Sequence, residues 1–560
     1  MKNLKYLFAA GSLLFAFSCT SDEPKEIGSD ISTEVEQIDA GKVLFEQNCS
    51  TCHNFNQSAI GPILSGLTRQ VESDWIKSFI KNPQEKIDGG DERAKQLYAD
   101  YKVYMPAFPT LSEENLNDLL SYLHTYERVP VAEASDLDAL EDPIPDTIPS
   151  SGMSLELEYF AQVPPSDEKS PLAKITKMEC EPVSGRLFVQ DQHGIMYEIR
   201  EAQPHEFFNL KSYFPDFVSK PGLATGFGSY AFHPEFTKNG LLYTSHTEKP
   251  GDKKKDFDYA DSIKVTMEWV ITEWKTDNPE AEVFSGTNRE LMRIDVVTQI
   301  HGVQELAFNP NSKPGDEDYG LLYIGIGDGG AAESGFAFLA DHQGSKIWSS
   351  ILRIDPSGTN SKFGKYGIPS SNPFAGKPGK LGEVYAYGFR NPNRVFWDPN
   401  GRLLASEIGH HNVEELNLIE PGKFYGWPIR EGTFVINPYG NMSALYPLPS
   451  DDASLGATYP LIQFDHDEGN AIIAGYFPNT GSFKGKFLFG DVPSGKVFIS
   501  DLNEENPKIQ ELGIRFEGKE TNLREVCGNG RVDLKFGQDC TGQVYVLTKA
   551  DGKIYKIVNQ

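Results

Sequence analysis

Long apolar runs are missing from this chain of 560 residues. The stretch from Leu7 to Phe17 falls short of the roughly 20 apolar residues of a membrane-spanning helix, so no span is expected. Basic residues are scarce: 52 Lys and Arg stand against 80 Asp and Glu, a formal charge of −28. That balance lacks the cationic footprint a phosphate backbone requires, which excludes a nucleic-acid partner. Cysteine is sparser still, with six residues, and only one C-x-x-C occurs, so a zinc site built from two such pairs is excluded.

What the cysteines do form is Cys49-Ser50-Thr51-Cys52-His53, the C-x-x-C-H pattern of c-type haem attachment. Thiols at Cys49 and Cys52 add across the haem vinyl groups, and His53 becomes the proximal iron ligand. Met105, in the turn-rich Tyr104-Met105-Pro106-Ala107-Phe108-Pro109, is the candidate sixth ligand; Met/His ligation suits electron transfer. Asp39 is the expected N-cap of the helix entering the motif, and Gly61-Pro62 follows it. Ser112 opens a final amphipathic helix, with Leu116, Leu119, Leu120 and Leu123 at helical spacing. Residues 35–128 resemble a mono-haem class I cytochrome c, which implies a small all-α domain carrying haem c.

Lys2 and Lys5 ahead of Leu7 to Phe17, then Ser18-Cys19, read as an export signal. Its end resembles the lipobox of a bacterial lipoprotein, with Cys19 lipidated. The expected order is a signal over 1–19, an acidic spacer over 20–34, the haem domain over 35–128, a linker over 129–151 and a large domain over 152–560. The linker, rich in Asp, Glu and Pro, cannot bury enough apolar area to fold alone. A lipid at Cys19 would tether the protein in the cell envelope, on the periplasmic side or the surface, without a membrane span. Outside the cytoplasm a disulfide is permitted, most simply Cys527 with Cys540.

Beyond the linker a Gly-led turn and an aliphatic–aromatic strand recur, beginning at Gly185, Gly240, Gly320, Gly401, Gly485 and Gly542. Six such hairpins, some fifty to eighty residues apart, predict an all-β, six-bladed propeller. Gly226 to Pro234, Gly325-Ile326-Gly327-Asp328-Gly329-Gly330 and Ile351 to Pro356 resemble the glucose/sorbosone dehydrogenase family. Ala386 to Pro392, Glu414-Glu415-Leu416-Asn417, Tyr425-Gly426-Trp427-Pro428 and Phe489-Gly490-Asp491 follow in family order. The resemblance implies a quinoprotein that oxidises aldose sugars with pyrroloquinoline quinone (PQQ) and calcium. Carried over residue by residue, it implies His301 as the base, Arg390 and Asn391 beside the quinone, and Arg531 on a quinone carboxylate. The main-chain carbonyls of Gly409 and His410 would face calcium, a hard ion that accepts neutral oxygen.

The chain also departs from that family. Arg531-Val532-Asp533 replaces Arg-x-Arg, a family Lys falls near Pro493 with Lys496 three positions on, and Thr225 replaces a Gln. Two readings follow. In one, a sugar or related alcohol is oxidised in the propeller and electrons leave through the tethered haem to an external redox acceptor, the linker keeping the two centres close. In the other, the propeller lacks quinone and binds a carbohydrate or partner beside an electron carrier.

Overall fold

The structure is a computed structural model that describes residues 27–49, 53, 55, 61–101, 104–126, 139–220, 224–260 and 263–559. Cys19, Cys52 and the export segment lie outside the described residues. Helices Val35–Asn48, Ser73–Lys81, Pro83–Asp88, Glu92–Tyr101 and Glu113–His124 form the N-terminal domain. Asp39 is not the N-cap expected of it: Val35 to Ile38 contain no helix breaker, so the helix starts a turn earlier, with Glu34 in the cap position. The last helix begins where its sequence signal lies, at a capping box in which Ser112 and Asn115 bond each other's backbone N–H. First and last helices cross at Gly41, where a Cβ would lie 1.9 Å from the Asp118 carbonyl oxygen; glycine alone allows that approach. Phe45, Phe55 and the four leucines of the last helix form the core, with Cys49 and Met105 packed against it.

The remainder is β. Six antiparallel runs of four strands carry, as their second strands, Leu187–Asp191, Leu241–Glu248, Leu322–Ile326, Leu403–Glu407, Phe487–Asp491 and Val544–Thr548. Each follows one of the six recurrent glycines, all with φ between 68° and 85°, the left-handed turn the pattern required. Three runs are separate sheets, and three fuse through two parallel pairings, Ser150–Gln162 with Gln510–Phe516 and Ile175–Cys180 with Leu534–Gln538. Ser150–Gln162 also pairs antiparallel with Lys553–Ile557, so the start of the domain completes its final run. The first strands of successive runs are neighbours around one axis.

Charged side chains meet on that axis. Lys177 bonds Glu305 and lies 3.3 Å from Glu179; Arg394 lies 3.0 Å from Glu305 and 3.1 Å from Glu179; the Tyr476 hydroxyl donates to Glu179. These five residues belong to four different runs.

Residues 139–149, in the stretch expected to be a linker, lie along the β domain. The N–H groups of Leu140, Ile144 and Ile148 donate to the Leu445 carbonyl, Asp465 and Glu468, and both isoleucines pack on the β core.

The disulfide joins Cys180 to Cys540, not Cys527 to Cys540 as expected. The parallel pairing of Ile175–Cys180 with Leu534–Gln538 brings the two Cα atoms to 5.6 Å, whereas Cys527 ends the short helix Leu523–Cys527. Cys180→Ser should therefore lower β-domain stability by about 2–4 kcal/mol in denaturant melts, and Cys527→Ser by under about 1 kcal/mol.

Candidate active site and haem-domain contact

At one end of the axis the glycine-rich loop after Leu322–Ile326 brings two distant segments together. A Cβ on Gly327 would lie 2.3 Å from the His301 carbonyl oxygen and 2.8 Å from that of Arg390, so this glycine is the hinge on which both residues meet. The Asp328 N–H donates to Arg390 O, and the Gly329 N–H to His301 O.

His301 is buried, with φ at 54°, a conformation that non-glycine residues rarely hold without surrounding constraint. Its Nδ1 lies 2.8 Å from Asp328 Oδ1. The carboxylate only accepts, so Nδ1 carries the proton and Nε2 is left as the basic nitrogen. Asp328 is itself held by the N–H groups of Gly330 and Ala332 and by Trp427 Nε1 at 3.2 Å.

Arg390 lies over the Trp427 ring, 5.8 Å from its centroid, and is bonded by Glu333, to which it donates through Nε at 2.7 Å and through Nη2. His410 Nδ1 stands 3.0 Å from the same Glu333 oxygen. Burial alone would raise the Glu333 carboxyl, but the Arg390 guanidinium beside it, helped by the His410 hydrogen bond, holds it well below the usual carboxylate range. Arg390 Nη1 donates to the Gly409 carbonyl, and Asn391 and Arg390 both give their N–H to Glu407.

The loop from His410 to Val413 wraps Glu431, whose Oε1 accepts the backbone N–H groups of His410, His411, Asn412 and Val413 at 2.8–3.2 Å. Behind it Glu407 and Glu415 face each other across paired strands. Burial, then the neighbouring charge, pushes Glu407 well up, and burial pushes Glu415 to about 7.

The structure thus gathers His301, Arg390, Asn391, Gly409 and His410 at one place. Arg531 is paired within its own segment: its Nε donates to Asp533 at 2.7 Å, and its side chain is about a third exposed. Lys496 pairs loosely with Glu511 at 3.9 Å. Sequence reasoning missed Glu333, Glu431 and Trp427 as site residues, although Glu333 stands five positions after Asp328 and Trp427 lies in a quoted motif. It also missed Tyr259, which the loop after Leu241–Glu248 stacks on Trp348 at 4.5 Å.

The site's fit to the expected groups is uneven. Asn391 Oδ1, Thr225 Oγ1 and the Nε2 atoms of His410 and His411 are buried with no hydrogen-bond partner among the described residues, and a polar ligand such as PQQ would satisfy them. Calcium fits poorly, because the place beside the Gly409 carbonyl is taken by the Arg390 guanidinium. In the N-terminal domain His53 Nδ1 is 3.0 Å from the Pro62 carbonyl, which fixes the proton there and leaves Nε2 for iron. A Cβ on Gly61 would collide with that imidazole at 2.2 Å, so the Gly61-Pro62 loop lies directly on the His53 ring.

The two domains touch at the site. Tyr101, at the end of Glu92–Tyr101, sets its ring 5.7 Å from that of His411, which in turn stacks edge-on against His410 at 4.2 Å.

Residues 176–556 match the family described as Glucose / Sorbosone dehydrogenase, and residues 38–127 match Cytochrome c. The chain is 27% identical over 400 residues to the HIPL2 protein of Arabidopsis thaliana, covering 62% of this chain and 55% of that one. It is 28% identical over 227 residues to quinoprotein glucose dehydrogenase B of Acinetobacter calcoaceticus, covering 38% and 42%. The chain spans about half the length of the curated relatives it matches. The apo-form crystal structure of soluble aldose sugar dehydrogenase from Escherichia coli superimposes with a TM-score of 0.52 at 18% identity, over 73% of this chain and 100% of that one, which shows a shared fold.

Two outcomes follow. Glu333→Ala leaves Arg390 buried without its partner and should cost about 3–5 kcal/mol in denaturant melts. Between pH 4.5 and about 7 the folded protein keeps a proton on Glu415 that the unfolded chain has lost, so stability should fall as pH rises through that window. The slope should be up to about 1.4 kcal/mol per pH unit and should flatten in Glu415→Gln.

Proposed function

The chain belongs to the glucose/sorbosone dehydrogenase family and carries a cytochrome c domain ahead of it. From that premise we propose an exported oxidoreductase that oxidises an aldose sugar or related alcohol at the axial site and passes the electrons to its own haem c. The six antiparallel runs are read as six propeller blades, and lipid on Cys19 as the tether to the cell envelope.

The observation that carries this reading is the buried His301–Asp328 pair, with Nε2 left basic, brought together with Arg390 at Gly327. Bound there, PQQ would supply a two-electron acceptor, and haem c, held through Cys49, Cys52, His53 and Met105, would supply a one-electron carrier to an external partner. His301 Nε2 is placed to take the substrate hydroxyl proton while the carbon bearing that hydroxyl gives up hydride to the two-electron acceptor, and Asp328 would stabilise the imidazolium that forms. Arg390 places a fixed cation where negative charge develops, and Glu333 holds that cation in position. Trp427, which donates to Asp328, is itself buried and helps keep water from the His301–Asp328 pair. The Tyr101–His411 contact supports the route to haem, because it sets the haem domain against the loop that carries Gly409 and His410.

One experiment tests the reading: full-length protein with haem attached is given PQQ, with and without calcium, and a panel of aldoses, while the haem absorbance is followed. Haem reduction is expected with at least one sugar, and His301→Ala should slow it by about 10²–10⁴-fold while still binding quinone. No reduction by any sugar together with no quinone binding overturns it in favour of a binding module, a reading that Asp533, in place of the family's cation, favours.

A further inference from the structure

Beside the axial ion network lies a partly enclosed cavity of about 50 Å³, lined by Lys177, Glu305, Asn393, Arg394, Lys535 and Lys549 among others. Lys177 and Arg394 are spoken for by Glu305 and Glu179. Lys535 and Lys549 are not: no carboxylate comes within ion-pair distance of either among the described residues, and Asp533 and Asp191 act on Lys549 only from farther away. Burial, then the Lys549 charge, lowers Lys535 well below the ordinary lysine value, and burial, with the Arg531 charge, lowers Lys549. Lys174, beside Lys549, is lowered to about 8. Enclosed ammonium groups hold their charge when an anion stands beside them.

The nearest candidate counter-charge of the chain itself is unsuited to the task. Asp533 occupies a left-handed turn at φ 53° and is already bonded by Arg531 at 2.7 Å. Gln304 and Asn393 line the cavity three residues beyond His301 and Arg390, which places it next to the site where those two residues meet. Its volume admits a carboxylate group or one to two waters, not a whole organic anion. The cavity is therefore shaped for the charged end of a larger ligand.

We propose that this cavity is a carboxylate-binding site in which Lys549 and Lys535 hold the acidic end of an organic anion lying along the axis. The proposal rests on the oxidoreductase reading in one respect: the anion is then PQQ, with its carboxylates toward the lysines. A sugar acid offers the same chemistry, so two ligands are compared.

Binding of PQQ to the full-length protein is measured by fluorescence quenching, and binding of glucuronate by calorimetry, with uncharged glucose as control. Lys549→Ala and Lys535→Ala should each weaken the anion that binds by at least about tenfold, and Lys549→Arg should restore it to within about threefold. Asp533→Asn, which removes a competing carboxylate while tolerating the positive φ, should tighten binding, a gain that misfolding cannot produce. PQQ binding unchanged in both alanine variants overturns the proposal and leaves the oxidoreductase reading standing. If wild-type protein binds no PQQ, that reading falls. Lysine-dependent glucuronate binding then still supports the site, and binding of neither anion overturns it.

Discussion

The β domain depends on the ion network along its axis. Where strands from separate runs meet, Lys177, Glu179, Glu305 and Arg394 find their opposites in one another. Glu305 answers Lys177 and Arg394 together, and Glu179 answers the same two cations from the other side. Removing one member would leave a desolvated charge, which costs about 3–5 kcal/mol. The network therefore fixes which runs face each other, and the sites above it inherit that geometry.

Three carboxylates then organise the chemistry. Asp328 fixes the imidazole proton of His301, Glu333 holds Arg390 and His410 on one oxygen, and Glu431 collects four successive N–H groups of the loop that carries Gly409. None of these carboxylates needs to touch substrate to matter. Each converts a flexible group into one with a single orientation, so no reorganisation is required when charge develops. Gly327 is the covalent counterpart of that order, since its lack of a Cβ lets the two key residues close on each other.

The N-terminal domain solves a smaller version of the same problem. Gly41 lets two helices cross closely, and the Pro62 carbonyl sets the His53 ring, so the groups that would hold haem are positioned by backbone rather than by long side chains. Residues 139–149, bonded along the β domain through Asp465 and Glu468, lead from this domain into the first strand of the other. The contact of Tyr101 with His411 sets the two domains against each other at the site.

Much of this was legible in the sequence, for reasons that are local. The Cys49–His53 motif, the capping signal at Ser112 and six glycines ahead of aliphatic strands each state their structure within a few residues, because turn and helix geometry depend on near neighbours. His301, Arg390 and Gly409 were found through motif resemblance, and the fold brings them together around Gly327 and the Arg390 guanidinium. The cysteine pairing was misread, because it is set by a parallel strand pair joining residues 360 positions apart. Glu333, Glu431 and the two axial lysines were likewise invisible as a set: ordinary charged residues acquire their roles only when burial removes water and leaves each to the partners that the fold supplies. The sequence by itself determined the elements, the haem motif and the candidate base. The tertiary structure alone decided which charges are paired and which are left facing a cavity, because pairing is a property of distance in space and not of distance along the chain.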